Sequence, residues 1–177
     1  MIFNQLKKTI LLFLFFYLAI IFSKTLLAQS IQQQTELDNI LNSAEKIFKF
    51  MEIRDFRGIW EGITEKSKKR IIEDIYKYAE KQSKKEKKAN PLNREMIFED
   101  FNNCGPLSRE YWNAFLENFD PKTALEQSAW KMGKIEGNYA EVIIHYKKSE
   151  RPAIVQMYKE KGVWKLGLVE TFWTWIK

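Results

Sequence analysis

Apolar side chains follow two different spacings along this chain. Up to about residue 127 they recur every three or four positions, as in Leu37, Ile40, Leu41 and Ala44. Beyond that point they alternate with polar residues, as in Ala140-Glu141-Val142. The first spacing places apolar groups on one face of a helix, and the second places them on one face of a strand. The order predicts an α+β fold with N-terminal helices packed on an antiparallel sheet.

Helix-capping residues divide the first half into six predicted helical segments. Thr, Asp, Asn and Ser favour the position just before a helix, because their side chains accept hydrogen bonds from the free amides of its first turn. The apolar stripe of the third segment includes Tyr78, and that of the fourth includes Met96. The six segments start at or just after Thr35, Asp55, Thr64, Asn93, Ser108 and Asp120, and they run to about residues 53, 63, 87, 102, 119 and 126.

Four strands are predicted in the second half, in the stretches "SAWKMGKIEG", "NYAEVIIHYKK", "RPAIVQMYKEK" and "VWKLGLVETFW". Their connections are Gly137-Asn138, Ser149–Pro152 and Lys161-Gly162, which contain the residues that favour tight turns. The last strand is expected to run to about Phe172. Short connections between successive strands predict an antiparallel meander.

The N-terminal segment, residues 1–28, has the features of an export signal. Lys7 and Lys8 precede the unbroken apolar run Ile10–Phe22, and a cleavage point is expected after Ala28. An uncleaved membrane anchor is the alternative, and it would need to include Lys24. Both interpretations place the rest of the chain outside the cytoplasm, in a periplasm. Residues 29–34 are then a linker, and 35–177 are a single α+β domain.

Charge is concentrated in one predicted helix. The whole chain carries +6, and residues 64–88 hold ten Lys or Arg against five acids, a local net charge of +5. This segment is either a solvated helix face or, across residues 66–88, a contact with an anionic membrane surface. Nucleic acid is not expected as a partner, because no aromatic side chains interleave with the lysines at the basic end.

Candidate chemistry is sparse. Cys104 is the only cysteine and His145 the only histidine, so neither a disulfide within the chain nor a metal site of several such residues is expected. The chain has no glycine-rich phosphate loop and no nucleophile elbow. We therefore expect no cofactor, no metal and no enzymatic activity.

Two stretches resemble a known superfamily. "AEKIFKFMEIRDFRGIW" resembles the opening helix and Asp-Phe turn of the nuclear-transport-factor-2-like proteins, and Lys161–Lys165, "KGVWK", resembles their closing hairpin. The resemblance covers residues 44–172 loosely. It implies a bent sheet and a helix that together form a cone around a pocket. The superfamily includes enzymes, ligand binders and assembly modules; its enzymes would imply Tyr146, Tyr158, His145 or Glu170 as pocket groups.

An apolar pocket between helices and sheet is the predicted site, although the same residues would also describe a filled core. Trp173 and Trp175 would share one face of a continued strand and are candidates for binding a partner. The pocket candidates are Phe56, Trp60, Trp112, Phe115, Val142, Ile144, Tyr146, Trp164 and Leu168.

The resulting functional hypothesis is an exported, non-enzymatic protein for binding or assembly. One alternative is a periplasmic carrier of lipid or another apolar ligand, because periplasmic phospholipid carriers share the order of helices and sheet and the basic charge. The other is a membrane-anchored subunit of a secretion machine. A protein partner or a homodimer formed through the sheet would suit either an assembly role or a binding role.

Overall fold

The computed structural model describes residues 29–87 and 92–172. The chain divides into two compact units, Met1–Asp38 and Asn39–Lys177. The described part of the first unit, 29–38, is helical and mostly exposed. There the Thr35 hydroxyl donates to the Ile31 carbonyl at 2.9 Å. Thr35 therefore lies inside a helix rather than capping one, and the predicted start at this residue is wrong. The signal or anchor predicted at 1–28 lies outside the described residues.

Seven helices occur in the described residues. Asp55, Thr64, Asn93 and Asp120 each accept an amide hydrogen bond from the first turn that follows, which confirms four predicted helix starts. The helices are α1 (29–52), α2 (Phe56–Gly62), α3 (Glu65–Glu86), α4 (Arg94–Asn102), α5 (Pro106–Glu117), α6 (Pro121–Glu126) and α7 (Leu168–Phe172).

A four-stranded antiparallel sheet follows the first six helices, as the change of spacing predicts. The strands lie in chain order, and Gly137 and Gly162 have the positive φ angles, +56° and +83°, that the tight turns require. A bulge interrupts the first pairing between Met132 and Ile135. The strands are β1 (Ser128–Glu136), β2 (Tyr139–Tyr146), β3 (Ala153–Glu160) and β4 (Val163–Leu166).

The last strand is shorter than predicted. It ends at Leu166, and the chain turns at Gly167 into α7 instead of continuing to Phe172. A Cβ on Gly167 would lie 2.6 Å from a ring carbon of Tyr158, so only glycine allows this approach. The Thr171 hydroxyl then accepts the Gln156 amide at 3.0 Å, which occupies a hydrogen-bond donor of β3 that a longer β4 would have used.

Three helical details also differ from prediction. α5 begins at Pro106 rather than Ser108, because the carboxylate of Asp100 accepts the Leu107 and Ser108 amides at 3.3 and 2.7 Å. Met96 is 50% exposed, since α4 buries only the face of Ile97 and Phe101. Tyr78 is 67% exposed on α3.

The core lies between the helices and one face of the sheet. Alternate residues of β2, Ala140, Val142 and Ile144, are buried, as predicted. Val155 and Met157 continue this inner face on β3. They belong to the same buried cluster as the apolar stripe of α1, which comprises Ile40, Ala44, Ile47, Phe48 and Met51.

A buried polar junction joins the helical half to the sheet. The Thr64 amide donates to the Leu166 carbonyl at 3.0 Å, and Ile63 pairs with Leu166 as an isolated parallel bridge. The Ser67 hydroxyl, which is fully buried, accepts from Thr64 Oγ1 at 2.9 Å and from the Val169 amide at 3.2 Å. It donates to Glu170 at 3.1 Å. Through these bonds the start of α3 holds the start of α7.

Removing the Ser67 hydroxyl should destabilise the fold. Ser67→Ala leaves the Val169 amide and the Glu170 carboxylate each short of a partner, so we expect a loss of about 2–4 kcal/mol in the free energy of unfolding. Urea denaturation measures it. Ser83→Ala on the same helix is the control, because no hydrogen bond of its hydroxyl occurs among the described residues. It should be neutral or slightly stabilising. Equal effects of the two changes would contradict the role given to the junction.

Candidate functional site

A cavity of about 710 Å³ opens between α5, α6 and the inner face of the sheet. Its size lies within the range of small-molecule sites in proteins. Most of its wall is apolar. The lining residues are Phe48, Tyr111, Ala114, Phe115, Asn118, Phe119, Asp120, Thr123, Ala124, Ser128, Ile144, Tyr146, Ser149, Arg151, Ala153, Val155, Thr171 and Phe172.

Phenylalanine rings from α1, α5, α7 and the connection between α5 and α6 build one wall of this cavity. Phe119 lies between Phe48 and Phe172, with ring centroids 5.5 and 4.9 Å away and edge-on geometry in both pairs. Phe115 lies 5.6 Å from Phe172. Edge-to-face contacts hold aromatic rings in fixed orientations. The wall is thus a connected set of rings rather than a group of loose side chains.

Burial changes from one end of the cavity to the other. Phe48, Ile144 and Val155 are buried and mark its floor, whereas Asp120 and Arg151 are exposed and mark its mouth. An apolar group at the floor would be removed from water, and a polar group at the mouth would stay hydrated. This gradient suits a molecule with one apolar end and one polar end.

The cavity contains three of the nine predicted pocket residues. Phe115, Ile144 and Tyr146 line it. Phe56 is half-buried and borders a separate surface depression beside Arg54 and Cys104. The remaining five belong to the packed core and do not line the cavity: Trp60, Trp112, Val142, Trp164 and Leu168. Trp173 and Trp175 lie outside the described residues.

Sequence reasoning missed Phe48, Phe119, Phe172 and Arg151 as lining residues. Phe48 and Phe119 stand on predicted apolar stripes, so their burial was expected, but a stripe does not distinguish a cavity wall from a core. Phe172 falls in the predicted last strand and is instead the last residue of α7. Arg151 lies in the connection between β2 and β3, where periodicity carries no signal.

Two polar groups at the mouth have no side-chain partner among the described residues. Tyr146 follows Ile144 on the inner face of β2 and is half-buried, and its hydroxyl makes no hydrogen bond there. The Arg151 guanidinium likewise forms no ion pair within the described chain, although its backbone is held by the Ser149 hydroxyl, which donates to the Arg151 carbonyl at 2.9 Å.

Asp120, the acid at the mouth, is used in local structure. Its carboxylate accepts from the Thr123 hydroxyl and from the Lys122 and Thr123 amides, and it thereby caps α6. The hydrogen bonds from Thr123 lower the pKa of Asp120 below its ordinary value. The side chain is therefore an ionised helix cap that accepts three hydrogen bonds from the first turn of α6.

The side chains that an enzyme of the resembled superfamily would need do not converge. His145 is exposed, and its Nε2 lies 3.1 Å from the Ser149 carbonyl. The Tyr158 hydroxyl donates to Gln156 at 2.9 Å. Glu170 pairs with Lys66 at 2.9 Å and accepts from Ser67. Of these four candidates, Tyr146 alone lines the cavity.

Tyr111 separates the cavity from a second depression. That groove, about 570 Å³, lies between α3 and α5, and Tyr111 and Ala114 line both spaces. Three acids border the groove: Asp74, Glu86 and Glu110. The Tyr111 hydroxyl is buried and has no hydrogen-bond partner within the described part of the chain. Burial, and secondarily the charge of Asp74, raise the pKa of Tyr111 above its ordinary value.

Residues 29–87 and 92–172 contain neither a cluster of metal-ligating side chains nor a helix of membrane-spanning length and hydropathy. No group of three or more His, Cys, Asp or Glu side chains there could hold a metal ion. No helix in the same residues is both long enough and apolar enough to cross a bilayer.

Comparisons with known proteins identify no relative. No protein-family model matches the chain, no curated protein matches it, and no solved structure matches it. The geometry of the cavity and its mouth therefore carries the functional argument alone.

Replacing Tyr111 with phenylalanine should not weaken the fold. Its unpartnered hydroxyl opposes burial, so Tyr111→Phe is expected to be neutral or to stabilise by about 1 kcal/mol. Tyr158→Phe is the matched control; it removes a made hydrogen bond and should cost about 1 kcal/mol. Chemical denaturation compares the two. A clear destabilisation by Tyr111→Phe would indicate that a water or another group bonds the hydroxyl in solution.

Proposed function

We propose that this protein is a non-enzymatic ligand-binding protein that takes up an apolar molecule in the cavity between α5, α6 and the sheet. The observation that carries the proposal is the cavity itself, about 710 Å³ with a wall of phenylalanines and aliphatic residues. Specific small-molecule sites combine a mostly apolar wall with a few polar groups, and this site has both.

A carrier of lipid or a similar apolar ligand is the form of this function that the site favours. The floor is buried and the mouth is open to solvent, so an apolar chain could enter from one end and be shielded from water. The alternative of a secretion-machine subunit rests on an uncleaved anchor within residues 1–28, and no described contact bears on it.

Export and family membership enter as further parts of the proposal. We propose that residues 1–28 direct the chain out of the cytoplasm, to a periplasm. We also propose that the bent sheet and its helices form a nuclear-transport-factor-2-like cone, in keeping with the confirmed order of helices followed by a four-stranded antiparallel sheet. A pocket at the open end of such a cone would correspond to the observed cavity.

Contacts with a membrane or a protein are secondary proposals. On α3, Arg70–Asp74 and Lys84–Glu80 ion pairs neutralise part of the basic charge, so a membrane contact would depend on lysines such as Lys81 and Lys85. A homodimer through the sheet would use its outer face, where Ile154 is 46% exposed. Trp173 and Trp175 remain partner-binding candidates.

Filling the cavity should weaken binding strongly without disturbing the sheet. Ala153 lines the cavity and Ile154 is exposed on the outer face of the same strand. Ala153→Trp is expected to reduce binding of the neutral probe N-phenyl-1-naphthylamine at least about tenfold, because the indole occupies the ligand's space. Ile154→Trp adds the same side chain on the other face and should leave binding unchanged. Probe fluorescence measures both.

The proposal has a direct contrary outcome. If the unmodified protein does not enhance the fluorescence of the probe, or if both tryptophan variants bind it as well as the unmodified protein does, the cavity is not a ligand site. Circular dichroism of each variant confirms that any loss of binding comes from a folded protein.

A further inference from the structure

We propose that the ligand is an amphipathic anion whose apolar body lies in the cavity and whose acidic group is bound at the mouth by Arg151 and the Tyr146 hydroxyl. This inference rests on the proposed function of the cavity and adds the chemistry of the head group. A carboxylate and a phosphate ester share that chemistry, and both are tested below.

Arg151 is the only Lys or Arg among the described residues that line the cavity. It is exposed, in the connection between β2 and β3, and no carboxylate pairs with it within the described chain. A guanidinium presents several N–H donors in a planar fork that matches the oxygens of a carboxylate or phosphate. An unpaired arginine at the rim of an apolar space is therefore suited to an anionic head group.

Tyr146, which also lines the cavity, offers a second donor. It is the last residue of β2, on the inner face with Ile144, and it lies five positions before Arg151 across a short connection. Its hydroxyl has no partner among the described residues, and a phenol donates readily to an anion.

The charges around the mouth favour an anion. Lys147 and Lys148 occupy the same connection as Arg151, against the single acid Glu150. Asp120, which also lines the cavity, carries a negative charge, and its oxygens accept three hydrogen bonds from the start of α6. With Arg151, Lys147 and Lys148 against Glu150 and Asp120, a cationic head group would meet three basic side chains and two acids.

The depth of the cavity fixes the orientation of the ligand. Of the four buried lining residues, Phe48, Ile144 and Val155 carry no polar side chain, and the Thr171 hydroxyl already accepts the Gln156 amide. Burying an unpaired charge among them would be strongly unfavourable. The acidic group must therefore stay at the mouth while the apolar body enters. This separates the ligand from a wholly apolar molecule, which would gain nothing from Arg151.

Four dodecyl compounds test the head group directly. Dodecanoate, dodecyl phosphate, dodecanol and dodecyltrimethylammonium, each below its micellar concentration, compete with N-phenyl-1-naphthylamine for the full chain. We expect at least one anion to bind about tenfold or more tightly than dodecanol, and the cation to bind no more tightly than dodecanol. Whichever of dodecanoate and dodecyl phosphate binds with the higher affinity then shows whether a carboxylate or a phosphate ester is the preferred group.

Single substitutions test whether Arg151 and Tyr146 produce the preference for anions. Arg151→Gln should bring the anions to within about threefold of dodecanol, while dodecanol itself binds as before. Arg151→Lys should retain part of the preference, because it keeps the charge and loses the fork. Tyr146→Phe should weaken the anions alone. Arg57→Gln, which removes an exposed arginine of α2 that does not line the cavity, is the control.

The outcomes separate this inference from the function on which it rests. If the probe binds but anions and dodecanol compete equally, or if Arg151→Gln behaves like Arg57→Gln, the anion site is overturned and the apolar cavity stands. If neither the probe nor any dodecyl compound binds, both proposals are overturned.

Discussion

The architecture depends on a buried polar contact between two connecting segments, the link from α2 to α3 and the link from β4 to α7. The link from α2 to α3 pairs with the end of β4, and the Ser67 hydroxyl reaches the first turn of α7. Without this contact, the end of β4 and the start of α7 would leave backbone groups unpaired in the interior. The free-energy penalty of an unpaired buried group exceeds the net contribution of the hydrogen bond itself. The contact therefore joins the start of α3 to the end of β4 and to the start of α7.

The cavity exists because β4 ends at Leu166. If β4 continued, Phe172 would belong to a strand and not to the wall that it forms with Phe115 and Phe119. Because the chain turns at Gly167, α7 carries Thr171 and Phe172 to the inner side of the sheet, where both line the cavity. The apolar space, its aromatic wall and the arginine at its mouth then follow from the placement of short elements around one end of β2 and β3.

Much of the fold could be predicted from local chemistry. Asp55, Thr64, Asn93 and Asp120 cap their helices as expected, because capping needs only the side chain and the turn beside it. The alternation in β2 and the Gly137 and Gly162 turns are similarly local. The predicted start of α5 is wrong because the residue that caps this helix, Asp100, belongs to the preceding helix. The predicted β4 is too long because Gly167 contacts Tyr158, nine residues earlier in the chain.

By itself, the sequence determined the α+β class, the order of helices and strands, most helix starts and the apolar face of the sheet. Each of these depends on residues close together in the chain. Only the tertiary structure decided that Trp60, Trp112 and Trp164 pack in the core while Phe119 and Phe172 border open space. A core residue and a cavity residue have the same periodicity, and what differs is whether another part of the chain fills the volume beside them. Arg151 is a similar case, because the role proposed for it depends on the cavity that it borders.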